Sequence, residues 1–176
     1  SPGRRMRAVL QLNASSSDGG AARAAIRVHW AFQSHALHHQ WSSEFRAISG
    51  EVSTPEVTVG SPQGQSRLWR HLRPRLRQWR KRAWVTTNPA LHSLAWPDTG
   101  LGQELIQAHR LGLFHILNLH WLGDSALSVE EIGRLRFPVV WTLHDQWAFS
   151  GAEHYAPLDQ SVPQVMNGGR YAGGYT

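Results

Sequence analysis

The sequence predicts an α/β fold, a Rossmann-like parallel sheet with flanking helices. Three observations carry that prediction. A short apolar run over residues 8–12 leads into a loop of small residues ending in Gly19-Gly20, then into an alanine-rich helical stretch. Two later apolar runs, residues 114–119 and 139–143, lack the strict alternation of a sheet with one wet face. Between them Ser128 and Glu131 form a capping-box pattern that opens a helix, so the three pieces read as a βαβ unit.

In chain order, the first strand is residues 8–12 and the first loop residues 13–20. Residues 21–34 form a helix in which Ala22, Ala25, Ile26, His29 and Phe32 fall near helical spacing. Residues 44–49 and 56–59 are weaker strand candidates, followed by a loop over 61–66. A basic segment at about 61–85 places Leu68, Leu72, Leu76 and Trp79 on one helical stripe, which Pro74 should split or kink. Residues 86–102 contain Asn88-Pro89 and Trp96-Pro97 and read as irregular, with a short helix over 103–110. The strand 114–119, the helix from Ser128 to Leu135 and the strand 139–143 complete the regular part. Beyond residue 143 the periodicity fades.

A chain of 176 residues suits one domain. Its apolar share of 41% supports a packed core, and no stretch approaches the roughly 20 apolar residues of a membrane span. The basic start is followed by too short an apolar run for a secretory signal. With no cysteine there is neither a disulfide framework nor a thiolate metal site, which fits a cytoplasmic location.

Charge is concentrated in one place. Arg67, Arg70, Arg73, Arg75, Arg77, Arg80, Lys81 and Arg82 follow one another with no acid between them. These eight cations outnumber the net charge of +6, so the remainder of the chain is slightly acidic. The stretch from Arg67 to Trp84 fits equally a solvated surface helix and an amphipathic helix lying on an anionic membrane. Nucleic acid is not an expected partner, because no base-reading motif accompanies the arginines.

Ligands of open α/β sheets bind beyond the carboxyl ends of the strands. Loops 13–20, 120–124 and 144–151 occupy that position. In the first, Gly19 and Gly20 precede a helix N-terminus and suit either a phosphate or a tight turn. The loop is neither GxGxxG nor a P-loop. Asn13 at its start is a candidate substrate contact. His120, directly after its strand, could bond a sugar hydroxyl, present its carbonyl to developing positive charge, or simply pack. In the third loop, His144 and Asp145 could bond sugar hydroxyls, and Trp147 could stack on a sugar ring or pack the loop. Phe149, Gly151, Glu153 and His154 follow. A metal reading would recruit His115 and His120 as well. No HExxH-type spacing is present, and an odd separation on a strand turns those two histidines to opposite faces, so no metal is expected.

The stretch "LHWLGDSALSVEEIGRLRFPVVWTLHDQWAFSGAEHY", residues 119–155, resembles bacterial family 4 glycosyltransferases of the exopolysaccharide and colanic-acid type. "VLQLNASSSDGGAARAA", residues 9–25, resembles the same family's first strand, glycine loop and helix. "TNPALHSLAWPDTGLG", residues 87–102, is similar to a further family segment. The resemblance implies a GT-B fold, in which two Rossmann-like domains face each other across a cleft. A sugar passes, with retention of configuration, from a nucleotide-sugar donor to a glycan or lipid-linked acceptor in polysaccharide biosynthesis. It implies no metal and no cofactor, the nucleotide-sugar being a substrate. Carried over by position, Gly19 and Gly20 match the loop near the donor phosphates. His120 matches a histidine near the donor sugar, and His144 and Asp145 match the HD on the same cleft wall. These three are the candidate catalytic residues.

Two departures stand out. The family's cysteines after the W-x-F-[ST]-G motif are missing from "GAEHYAP". The C-terminal domain that grips the nucleotide is also absent, so residues 1–176 are expected to be an incomplete, acceptor-side domain. It would be inactive alone and cytoplasmic, or peripheral at the inner membrane face. The alternative readings are a non-catalytic remnant, a sugar- or nucleic-acid-binding module, and a histidine-metal hydrolase.

Overall fold

Parallel strands need a crossover at each step, and a right-handed crossover sends helices to one face when the chain moves one way along the sheet and to the other face when it turns back. The computed structural model follows this logic. It describes residues 7–16, 19–35, 41–50, 57–59, 72, 75, 76, 79, 99–123 and 126–150. The elements are β1 (Arg7–Ser15), α1 (Gly19–Ser34), β2 (Trp41–Ser49), β3 (Val57–Val59), α2 (Leu101–Arg110), β4 (Ile116–Leu119), α3 (Val129–Arg134), β5 (Val139–Trp141) and α4 (Trp147–Ser150). The sheet runs β3-β2-β1-β4-β5 with every pairing parallel, the α/β Rossmann-like arrangement. The chain moves outward from β1 to β3, then returns to place β4 on the opposite side of β1.

Alternation along the strands gives the sheet two different faces. Ala8, Leu10 and Leu12 of β1 and Leu117 and Leu119 of β4 join Leu101, Leu105, Leu127 and Leu135 in the larger core. The opposite face carries Gln11 and Asn13 of β1, Ser43, Phe45 and Ala47 of β2 and Asn118 of β4. There α1 lays Ala22, Ala25 and His29 on the sheet, and the two alanines let the helix approach closely. Beside α1 this face also holds an apolar groove of about 480 Å3, lined by Val9, Val28, Phe32, Trp41 and Ile116.

Strand and helix bounds differ from the sequence reading in instructive ways. β1 runs to Ser15 rather than Leu12, because its last residues pair with β2 as far as Ser49. β2 likewise begins at Trp41. β5 was expected to be covered on both faces, yet Val139 and Val140 are 36% and 52% exposed. As an edge strand it pairs with β4 alone among the described residues. In the basic segment Leu72, Arg75, Leu76 and Trp79 are helical, and Leu72, Leu76 and Trp79 are exposed. The expected break at Pro74, the irregular stretch through residue 98 and everything after residue 150 lie outside the described residues. Among the described residues, no helix is long and apolar enough to cross a membrane.

The start of α2, two residues earlier than its sequence pattern suggests, is set from a distance. Ser128 and Glu131 make the expected capping box at α3, with Glu131 N–H donating to Ser128 Oγ and Ser128 N–H donating to Glu131 Oε2. The same buried carboxyl group accepts from Thr99 Oγ1 and from Gly102 N–H at 3.0 Å. One side chain thereby serves the orphan donors of two helix N-termini. Gly102 is required for this contact, since a Cβ there would lie 2.8 Å from Glu131 Cβ. The Arg46–Glu104 ion pair, at 2.7 Å, ties α2 to β2 as well.

Glu131→Ala should therefore lower unfolding stability by about 3 kcal/mol, because it strands three buried donors. The exposed neighbour change Glu130→Ala should cost under about 0.5 kcal/mol. Urea denaturation of the two variants checks this, and equal losses would remove the clamp.

Candidate functional site

Strand order reverses between β1 and β4, and such a switch point opens a crevice at the carboxyl ends of the strands. The tips of β1, β4 and β5 are neighbours there and are stitched by backbone bonds. His120 N–H donates to Leu12 O, Ala14 N–H to Trp121 O, and Thr142 N–H to Leu119 O, all within 2.9 Å. The three loops singled out in the sequence thus leave from one rim. Gly19 at the head of α1 has φ +87°, which favours glycine. A Cβ on either Gly19 or Gly20 would meet nothing within 4 Å, so the two glycines themselves are uncrowded.

His120 and His144 come together on that rim. His120 Nδ1 lies 3.0 Å from His144 Nε2, and the rings stack at 5.3 Å between centroids with 28° between planes. Even spacing explains it: Asn118 and His120 on one chain segment, Thr142 and His144 on the next, fall on the same face of the sheet. His120 is buried, at 1% exposure. Burial pushes its pKa down from 6.5 to about 4, with the nearby His144 adding to the fall. Burial also lowers His144, against the opposing pull of Asp145. Both rings are therefore neutral at pH 7.

Behind the pair runs a buried hydrogen-bonded row. His120 Nε2 is 2.9 Å from Gln11 Oε1, which also accepts from Asn118 Nδ2 at 2.8 Å. Thr142 Oγ1 donates to Asn118 Oδ1 at 3.0 Å. On the other side Gln11 Nε2 reaches Ser43 Oγ, which lies 3.1 Å from His29 Nδ1 under α1. The row runs across β2, β1 and β4 to Thr142, the residue after β5. Gln11, Asn118, Thr142, Ser43 and His29 were not singled out as site residues in the sequence. The available signal was one polar residue inside each of two apolar runs, Leu10-Gln11-Leu12 and Leu117-Asn118-Leu119, which the structure pairs in register.

Three of the expected contacts are reassigned by their surroundings. Asn13 lies within β1 rather than in a loop and has no exposure. Its amide donates to Ser15 O at 2.6 Å and accepts from Trp121 N–H at 3.0 Å, so it braces the His120–Trp121 turn instead of facing a ligand. Trp147 is 7% exposed and tilts against Trp141 at 6.2 Å, so its ring fills the core rather than offering a stacking face. Asp145 Oδ1 accepts from Trp147 N–H at 3.0 Å and anchors the start of α4. His115 accepts from Ala8 N–H at the far end of β4, about 16 Å of strand from His120, too far to share an ion with it. Among the described residues no three His, Cys, Asp or Glu side chains are grouped as metal ligands. Glu153 and His154 lie outside the described residues.

The cavity between the second and third loops is small, about 10 Å3, and is lined by His120, Trp121, Gly123, Trp141, His144 and Trp147. It admits a water and no sugar. Trp121 lies against Gly123, where a Cβ would come within 2.5 Å of its ring. In comparisons with known proteins, the chain matches no family model, no curated protein and no solved structure.

The neutral His120 makes stability depend on pH. Unfolded, it takes a proton near pH 6.5; folded, only near pH 4. Between those values the unfolded chain binds more protons, so its contribution is full above pH 6.5 and is lost as pH falls toward 4. Solvent near the rim weakens the effect, leaving about 2 kcal/mol. Urea melts from pH 7 to pH 4 should show this slope reduced in His120→Gln. An unchanged slope would assign it to other groups.

Proposed function

We propose that this chain is the acceptor-side domain of a retaining GT-B glycosyltransferase that moves a sugar from a nucleotide-sugar donor to a glycan or lipid-linked acceptor. The observation that carries the reading is the meeting of His120 and His144 at adjacent strand tips, on the rim where α1 begins at Gly19-Gly20. These are the positions that the family motifs single out. A helix N-terminus that starts with two glycines suits the donor phosphates. A neutral imidazole suits a sugar hydroxyl, and His144, with Nε2 engaged by His120, has its other ring nitrogen left to offer. Asp145 holds the following turn in place and lies on the same wall. A rim with room for only a water fits a half-site that a second domain completes.

The test is sugar transfer by this domain joined to a nucleotide-binding partner domain, assayed with a panel of labelled nucleotide-sugars. His120→Ala should lower kcat by about 100-fold with a smaller effect on donor binding, because it removes the buried partner that holds His144 on the rim. Residues 1–176 alone should transfer nothing. Unchanged turnover in His120→Ala would remove that residue from the reaction, and no transfer with any donor would favour a non-catalytic binding module.

A further inference from the structure

Gln11 is fully buried in mid-β1, where it is paired in register with Asn118 of β4. Its side-chain oxygen faces two nitrogens, Asn118 Nδ2 at 2.8 Å and His120 Nε2 at 2.9 Å. Asn118 Nδ2, a donor, also approaches His120 Nε2, but at 3.3 Å; the closer neighbour at 2.9 Å is the Gln11 oxygen, which only accepts, so the proton of His120 sits on Nε2 and its Nδ1 is bare. A neutral His144 whose Nε2 lies 3.0 Å from that bare nitrogen must donate to it, which leaves the lone pair of His144 on Nδ1. Gln11 is itself aimed from both ends. Thr142 holds Asn118, Asn118 holds the Gln11 oxygen, and Ser43 takes the Gln11 amide.

We infer that Gln11 is a positioning residue: it fixes the tautomers of His120 and His144, and through them gives the cleft wall an acceptor nitrogen suited to a ligand hydroxyl rather than an anion. The tautomer half stands on geometry alone. The ligand half deepens the sugar-transfer reading and rests on it.

The experiment is a long-range 1H–15N spectrum of the 176-residue chain labelled with 15N-histidine, at neutral pH, which distinguishes protonated from bare ring nitrogens without any substrate. Expected are Nε2–H tautomers for both His120 and His144. Gln11→Leu should turn His120 into a mixture and carry His144 with it, whereas Gln11→Glu keeps an acceptor and should keep the wild-type pattern. An Nδ1–H tautomer of His120 in the wild type, or an unchanged pattern in Gln11→Leu, overturns the inference. If Gln11→Leu does not fold, an Nδ1–H tautomer of His120 in Gln11→Glu overturns it equally. For the ligand half, methyl glucoside should move the His144 Nδ1 signal more than inorganic phosphate does at the same concentration. No movement, or the reverse order, overturns that half and leaves the tautomer result standing.

Discussion

A polar group inside a parallel sheet is costly unless it has a partner, and this sheet carries a row of them. Gln11 and Asn118 sit in otherwise apolar strands that are held in register side by side. Left unpaired, each would cost on the order of 1–3 kcal/mol. Paired, they tie β1 to β4 at the position where the strand order reverses, and they extend through Thr142 to β5 and through Ser43 to the underside of α1. The placement of His120 and His144 follows from this row. With its inner nitrogen Nε2 held by Gln11, the buried imidazole of His120 turns Nδ1 toward His144 on the rim.

Rigidity at the rim has a second source in the backbone. The tips of β1, β4 and β5 exchange hydrogen bonds beyond the ends of regular pairing. Asn13 spends its amide on bracing Trp121, and Trp121 in turn covers Gly123. A side chain braced at strand tips in this way keeps its geometry better than one on a free loop. Neutral histidines also spare the wall a buried charge.

Much of this was legible in the sequence, and the omissions have physical reasons. The strand–glycine loop–helix opening and the Ser128–Glu131 box are local signals and located β1, α1 and α3. Local signals also put loops 120–124 and 144–151 at the carboxyl ends of their strands, which is why His120 and His144 were singled out. The buried row was not legible, because Gln11 and Asn118 lie 107 residues apart and acquire meaning only through strand register. The roles assigned to Asn13 and Trp147 changed for a related reason. Their chemistry suits a ligand, but whether it meets a ligand or the protein's own backbone and core depends on how far β1 extends and where α4 folds back. The edge exposure of Val139 and Val140 was hidden because an apolar run says nothing about which strand lies at the border. The early start of α2 depended on Glu131, a residue about thirty positions away.

The central claim is that Gln11 and Asn118 form one coupled unit that organises the rim. A double-mutant cycle of Gln11→Leu and Asn118→Leu, read by urea denaturation, tests it most directly. Each single change should cost about 2 kcal/mol by orphaning a buried partner. The double variant, in which both members of the pair are apolar, should cost less than the sum of the two by at least about 1 kcal/mol. Simple additivity would mean that the two side chains do not hold each other, and the account of the rim would fail with them.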